Sequence, residues 1–278
     1  SAFSILIAHL LQVVEIKKFH TVKILTINYL VATVIAFATS ETGIMQELQK
    51  NGSHFAVELA AVTGIFFIAN FFIYSKSVNQ NGVGISVAAM RISLIVPVLL
   101  STLWYLEYIS AIQWGGVMLV FVTLFLLLPN KRKLFLEPFG FGSGWLLVLL
   151  FLGTGIGDAA LKVYEADLSG IWVKQQFMGV VFLTAFLAGT AVLVMRREVR
   201  FTMQDFWMGA AVGIPNLYTS IFLIEALERM NGAVVYSAVN VITVLGATLL
   251  GIIRWGDRLK PLQWAGILFT IISILMLI

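Results

Sequence analysis

The 278-residue chain contains no cysteine, three histidines and five prolines. Without cysteine it has no disulfides, thiolate metal sites or thiol nucleophiles. His9, His20 and His54 form no His-Glu-x-x-His motif, and no glycine-rich loop is followed by the Lys-Ser/Thr of a phosphate-binding loop. These absences leave little basis for an enzyme, for a bound cofactor or metal, or for ATP-driven transport by this chain.

Charged residues are also scarce. They make up 12% of the chain, whereas about 25% is usual in soluble domains. Hydrophobic residues make up 60%, and the mean hydropathy is +0.97. Such a composition suits a lipid-facing surface, so we expect an all-α polytopic protein whose main partner is the lipid bilayer and not nucleic acid. The expected location is the bacterial inner membrane.

Apolar runs long enough for helices recur along the whole chain. A helix that crosses the hydrocarbon core needs roughly 20 apolar residues, and all its backbone polar groups must be satisfied internally. The sequence predicts about ten such spans, with only short connections between them. They are residues 1–15, 23–40, 55–75, 83–104, 110–129, 143–163, 171–194, 204–224, 232–253 and 261–278.

Lysines and arginines are distributed unevenly between the connections. Thirteen follow the odd-numbered spans, and four lie at the other connections or their helix edges. Cytoplasmic loops of membrane proteins are enriched in these residues, so the bias predicts that both termini lie outside the cytoplasm. The thirteen are Lys17, Lys18, Lys23, Lys76, Lys131, Arg132, Lys133, Arg196, Arg197, Arg200, Arg254, Arg258 and Lys260.

The sequence contains an internal repeat. Residues 81–116 align without gaps on residues 231–266, with nine identities that include a shared Asn-Gly and a shared Gln-Trp-x-Gly. We therefore predict a first five-helix repeat over 1–129 and a second over 130–278. Because five is odd, the second repeat would enter the membrane from the opposite side, an arrangement common in secondary transporters.

The repeated motifs resemble those of the drug/metabolite transporter superfamily, in particular its ten-helix EamA-like members. In both halves a helix opening with Asn-Gly is followed by an acidic loop, at Glu107 and Asp257, and then by Gln-Trp-x-Gly at 113–116 and 263–266. Pro97 matches a proline that is frequent in the family. The resemblance implies a transporter fold with cytoplasmic termini, opposite to the charge bias, so the orientation stays open.

Two charged residues within the predicted spans are the leading site candidates. Arg91 lies about nine residues into the fourth span, and its repeat counterpart is Val241. It could bind an anionic or carboxylate-bearing substrate, or it could be a structural arginine paired with a carboxylate. Asp158 could bind a coupling ion or proton, or it could pair with Lys162 at i+4. Lys162 lies near the helix end, where its amine is expected to reach the interface.

Uncharged polar residues complete the predicted substrate site: Asn70, Tyr74, Asn216, Tyr218 and Asn240. Each could instead form an interhelical hydrogen bond. Pro97 and Pro215 each remove a helical donor and free the carbonyl four residues earlier, at Ser93 and Ala211. Gly153, Gly155 and Gly157 are interpreted as small residues that allow close helix packing.

The pattern as a whole predicts a secondary transporter that moves a small metabolite or drug by alternating access, in the export direction. The alternatives are a receptor or structural subunit that uses the same fold without transport, and an intramembrane enzyme, which would need an acid and a base at one depth. Neither the substrate, the coupling ion nor the oligomeric state follows from the sequence.

Overall fold

The computed structural model describes residues 2–16, 20–81, 83–127, 144–250, 252–253 and 261–277, and these contain helices and connections but no strand. The helices are α1 Ala2–Ile16, α2 Thr21–Ala38, α3 Ile44–Leu48, α4 Ser53–Asn81, α5 Val83–Ile92, α6 Ile95–Leu99, α7 Ala111–Leu127, α8 Gly144–Val163, α9 Lys174–Met195, α10 Met203–Leu227, α11 Gly232–Leu250 and α12 Pro261–Leu277. Helices α6 and α8 continue as π-helical turns over Leu100–Trp104 and Tyr164–Leu168.

Seven helical segments of the described chain are long and apolar enough to cross a membrane, which is the make-up of an integral membrane protein. They coincide with seven of the predicted spans. Three shorter helices, α1, α7 and α12, have 15, 17 and 17 residues and lie where the first, fifth and tenth spans were predicted. Helix α3 was not predicted, because its five residues are too few to show a hydrophobic pattern.

Two of the predicted spans differ from the structure in an informative way. The third span, predicted to end at residue 75, continues to Asn81, because polar residues at the end of α4 are compatible with a helix beyond the apolar run. The fourth, predicted as one helix over 83–104, breaks between α5 and α6. Pro97 has no N–H for the Ser93 carbonyl, which instead accepts a hydrogen bond from the Val96 amide at 2.9 Å.

Pro215 has a different effect from Pro97. Helix α10 runs without interruption from Met203 to Leu227 and contains Pro215 as a buried residue. A proline inside a helix is therefore tolerated here, although it removes one backbone hydrogen bond. Of the two predicted helix distortions, only the one at Pro97 coincides with a break.

Several sequence-based predictions concern residues outside the described ones. Among these are Asp257 of the second acidic loop and eight of the thirteen basic residues used for the orientation. Those eight are Lys17, Lys18, Lys131, Arg132, Lys133, Arg254, Arg258 and Lys260. The orientation of the chain stays a prediction.

The chain divides into two compact units. One unit comprises residues 2–68 and 163–228, and its centre is α2, which packs against α9 and α10, while α1 packs against α10. Glycines allow these close approaches. A Cβ at Gly213 would lie 2.6 Å from the Asn28 carbonyl oxygen, and one at Gly209 would lie 2.6 Å from the Ile27 side chain.

The other unit comprises the described residues within 69–162 and 229–278. Here α7 packs along α12, and α11 packs against α6, α7 and α12. A core formed by Ala88, Ala89, Leu147 and Leu150 joins α5 to α8. Each unit combines segments from both predicted sequence repeats, because α4 and α8 pass from one unit to the other along the chain.

Gly64 offers a sharp test of the packing in the first unit. A Cβ at this position would collide with the Val181 carbonyl oxygen and would lie 2.9 Å from Thr184 Cβ. We expect Gly64→Ala to force α4 and α9 apart and to lower the free energy of unfolding by about 1–3 kcal/mol. Thermal unfolding in detergent measures this. Gly170→Ala is the control, because nothing lies within 4 Å of its added Cβ, and equal melting temperatures for the two variants would contradict the packing described.

Candidate functional site

Arg91 is half-buried near the middle of the broken fourth span, at the end of α5. Its Nη1 donates a hydrogen bond to Asn240 Oδ1 at 3.2 Å. The Asn240 side chain is held in turn by its Nδ2, which donates to the Tyr236 carbonyl one turn earlier at 3.0 Å. A guanidinium carries five N–H donors. Within the described residues this one makes a single hydrogen bond, so four donors remain available for another group.

Asp158 is half-buried in α8 and is the carboxylate that interacts electrostatically with the Arg91 guanidinium. Its carbonyl oxygen accepts a hydrogen bond from the Tyr236 hydroxyl at 2.7 Å, which joins α8 to α11. Among the described residues no donor bonds its side-chain carboxylate. The two opposite charges therefore attract each other at a distance and do not form a direct ion pair.

The glycines before Asp158 bring α8 close to the break in the fourth span. A Cβ at Gly155 would lie 2.6 Å from Val96 Cγ2 and 3.2 Å from the Ser93 carbonyl oxygen. This confirms for Gly155 the close packing that the sequence indicated. It also explains how Asp158, one turn further along α8, is brought near Arg91 of α5.

Asn70 and Tyr74 of α4 complete this group. Asn70 Nδ2 donates to Thr154 Oγ1 at 2.9 Å, and its Oδ1 lies 2.8 Å from where a Cβ on Gly153 would be. Tyr74 interacts electrostatically with Arg91. We refer to Asn70, Tyr74, Arg91, Thr154, Asp158 and Asn240 as the Arg91 cluster. All six lie in the same compact unit.

The other two predicted site residues belong to the other unit. Asn216 donates a hydrogen bond to Asn28 Oδ1 at 3.2 Å, which links α10 to α2. Tyr218 stacks with Phe3 and with Phe222, with ring centroids 6.0 Å apart in each case. The structure thus brings five of the seven predicted residues together and places Asn216 and Tyr218 in a separate polar and aromatic group.

Thr154 is the member of the Arg91 cluster that sequence reasoning did not assign to the site. Thr154 occupies the turn before Asp158, so a polar residue at i−4 from a buried acid was the available signal. Tyr236 lies in the second turn of α11, four residues before Asn240, and its hydroxyl reaches α8. No sequence pattern predicts that the Tyr236 hydroxyl bonds a residue of another helix.

The Lys162 side chain, expected to reach the interface, is buried near the end of α8. It is 3% exposed, and Nζ forms a 2.5 Å ion pair with Glu107 Oε1. The amine also lies 5.5 Å from the centroid of the Tyr105 ring. The charge partner of Asp158 is Arg91 on another helix, and Lys162, the alternative partner, instead contacts Glu107 and Tyr105 in the connection before α7.

The backbone around Glu107 explains how this loop carboxylate reaches Lys162. Leu106 has φ 52°, a left-handed conformation that is unusual for a non-glycine residue. The turn lets the Glu107 amide donate to the Ser101 carbonyl at 3.1 Å. It also places Glu107 Oε2 2.6 Å from the Gly232 amide, where the carboxylate satisfies a free donor at the start of α11.

A second carboxylate, Glu47 in the short α3, is fully buried and outside the apolar spans. Lys50 Nζ bonds both of its oxygens, at 2.8 and 2.9 Å, and the Val173 amide donates to Oε2 at 3.2 Å. Trp172 Nε1 donates to its carbonyl oxygen at 3.0 Å. Burial raises the pKa of this carboxyl, but the hydrogen bonds outweigh it and hold the pKa below the ordinary value of 4.5.

This arrangement predicts a pH-dependent contribution to stability. A carboxyl whose pKa is lower in the folded state stabilises the fold above its unfolded pKa, and the stability is lost as the pH falls through the folded value. We expect Glu47→Gln to cost about 1–2 kcal/mol at pH 7, and the difference from the wild type to shrink below pH 4.5. Thermal unfolding at pH 7 and pH 3.5 measures this. Glu41→Gln, at an exposed position of the same connection, is the control and should show neither effect.

The described residues contain no group of three or more His, Asp or Glu placed to hold a metal ion. The charged groups of the Arg91 cluster are one cation and one anion. Together with the amides of Asn70 and Asn240 they can bind a small polar solute by charge and by hydrogen bonds. Nothing in that set resembles a nucleophile held by a base.

No family model matches the chain. The chain is similar to an uncharacterized protein of Haemophilus influenzae, with 28% identity over 217 residues, which cover 76% of this chain and 72% of the relative. A solved crystal structure matches with a TM-score of 0.72 and 12% identity, over 99% of this chain and 93% of that one. At this identity the likeness establishes a shared fold.

Proposed function

We propose that the protein is a secondary transporter of a small carboxylate-bearing metabolite or drug, which moves by alternating access and binds Arg91. The observation that carries the proposal is the state of Arg91 within the described chain. It is half-buried within an apolar span, yet it uses one of its five donors and has no direct ion pair.

Energy considerations support a binding role. An arginine at membrane depth is costly unless its charge and donors are satisfied, and such residues usually mark substrate or ion pathways. Lys162 shows how this chain treats a structural cation, because it pairs directly with Glu107 at 2.5 Å. Arg91 lacks such a partner, and a carboxylate accepting two parallel N–H bonds would supply it.

We further propose ten spans in two inverted repeats, 1–129 and 130–278, as in the drug/metabolite transporters that the motifs resemble. The packing pairs support this. The second span, α2, packs on the seventh, α9, and the fifth, α7, packs on the tenth, α12. Counterparts in two repeats meet in this way across a two-fold axis in the membrane plane.

Other contacts have the same symmetry. The first span, α1, packs on the eighth, α10. If each span is exchanged for its counterpart in the other repeat, this contact becomes one between the sixth span and the third. That contact is the hydrogen bond from Asn70 of α4 to Thr154 of α8. The symmetric contacts favour a duplicated architecture, and transporters with such repeats place their substrate near the midplane.

Transport assays in liposomes test the function. The purified chain is reconstituted, and labelled carboxylates, amino acids, sugars and cationic drugs are screened for flux under imposed ion gradients, with protein-free liposomes as the control. We expect carboxylate-bearing compounds to move. Absence of flux for every class would contradict transport and favour a receptor or structural subunit.

The direction of transport needs a separate measurement. We propose export from the cytoplasm across the bacterial inner membrane. Everted and right-side-out vesicles from cells that express the protein distinguish the two directions. Faster uptake into everted vesicles is expected, whereas net uptake by right-side-out vesicles alone would contradict export.

A further inference from the structure

The Arg91 cluster holds one positive and one negative charge that are coupled but not bonded to each other. Within the described residues the Arg91 guanidinium has Asn240 Oδ1 as its acceptor, and the Asp158 carboxylate has no donor. Arg91 and Asp158 are each only partly buried as residues. Each charge can therefore take up a ligand of its own.

Charge balance constrains what can bind. With Asp158 ionised, the pair is neutral overall, and an added anion on Arg91 would leave a net negative charge in an apolar span. An uncompensated charge in such surroundings is costly. A proton on Asp158 restores neutrality, because the site then holds the guanidinium, the bound anion and a neutral carboxyl.

We infer that the substrate is an anion whose binding to Arg91 is accompanied by protonation of Asp158, so that anion and proton move together as an electroneutral pair. This rests on the proposed function. The proton comes from the aqueous side to which the site is open, binds a carboxylate oxygen of Asp158, and leaves with the anion on the other side. No oxidant or further reactant is needed.

Among the described titratable groups around this site, Asp158 is the one that can take up the proton. The charged group that acts on it is Arg91 on α5, which also interacts with Tyr74 on α4, and the Tyr236 hydroxyl on α11 is committed to the Asp158 carbonyl. On its own helix Lys162 is paired with Glu107. Arginine stays protonated in proteins and tyrosine titrates near pH 10, so neither exchanges a proton near neutral pH.

A zwitterion is the competing ligand, since its ammonium could bind Asp158 while its carboxylate binds Arg91. It would need no proton. Amino acids and their N-acetyl derivatives separate the two cases, because they share a carboxylate and differ in the ammonium group. Binding of both series to the purified chain is measured by calorimetry from pH 6 to pH 9, in buffers of different protonation enthalpy, which counts the protons taken up.

We expect N-acetyl amino acids to bind with uptake of about one proton, and their affinity to fall about tenfold per pH unit once Asp158 is ionised. Asp158→Asn, which mimics the neutral carboxyl, should bind them without proton uptake and without dependence on pH. Asp167→Asn is the matched control on the exposed turn after α8 and should keep the wild-type proton uptake.

The number of protons that the wild-type chain takes up on binding tests the inference even if Asp158→Asn fails to fold. Binding of N-acetyl amino acids without proton uptake would overturn the inference and leave the proposed function standing. Preferential binding of free amino acids without proton uptake would do the same. Failure of both series and of every other compound to bind or move would overturn the proposed function, and the inference with it.

Discussion

Replacing Lys162 by methionine is expected to lower the free energy of unfolding by about 3–5 kcal/mol. The Lys162 side chain is 3% exposed and that of Glu107 is 17% exposed, so removal of the amine leaves a carboxylate largely buried without its partner. Methionine matches the aliphatic part of the lysine side chain and keeps its packing. Thermal and denaturant-induced unfolding in detergent, monitored by circular dichroism, measures the loss.

A double variant separates the ion pair from the packing. Lys162→Met combined with Glu107→Gln removes both charges, and the glutamine oxygen can still accept from the Gly232 amide, 2.6 Å from Glu107 Oε2. Most of the lost stability should return, since the cost comes from the uncompensated charge. If the double variant is no more stable than Lys162→Met, the explanation by charge is wrong.

The pair between Lys174 and Glu228 provides the matched control. Its 2.8 Å separation resembles that of the Lys162 pair, but the two side chains are 22% and 32% exposed. Water screens such a pair, so Lys174→Met should cost at most about 1 kcal/mol. Equal losses for Lys174→Met and Lys162→Met would show that burial does not determine the contribution of these pairs.

Replacing Arg91 by glutamine is expected to reduce the flux of carboxylate compounds by about 100-fold. Loss of two charge-assisted hydrogen bonds at about 1.5 kcal/mol each accounts for this factor. Arg91→Lys keeps the charge but loses the paired donors, so we expect it to retain a small fraction of the flux, above that of Arg91→Gln. Initial rates in liposomes, normalised to the amount of reconstituted protein, provide the measurement.

Folding and transport must be distinguished for these variants. Glutamine is too short to replace Arg91 Nη1, which donates to Asn240 Oδ1 at 3.2 Å, so a loss of about 1 kcal/mol of stability is expected from that one hydrogen bond. Arg196→Gln, at an exposed position where α9 ends, is the control for loss of one arginine. Normal flux by a well-folded Arg91→Gln protein would refute the binding role, and failure of both Arg91 variants to fold would favour a structural arginine.

Local chemistry explains why the helices were predictable. Backbone groups in an apolar environment have to bond within their own helix, so an apolar run of sufficient length predicts a span without knowledge of its neighbours. Seven long helices follow that rule. A distortion of the helix after Arg91 was also predictable, since Pro97 has no N–H to bond the Ser93 carbonyl. Pro215 shows that a proline alone does not determine whether a helix breaks.

Composition and hydrophobic pattern alone determined that this is an all-helical chain with the make-up of a membrane protein, and they identified Arg91, Asp158 and Asn240 as polar residues at depth. Only the tertiary structure decided which of them meet. Asn240 lies 149 residues from Arg91 in sequence, and Lys162 pairs with Glu107 and not with Asp158. The physical reason is that such partners depend on how each helix is rotated and packed against its neighbours. Close contacts at residues such as Gly155 determine that packing, and an apolar run does not encode it.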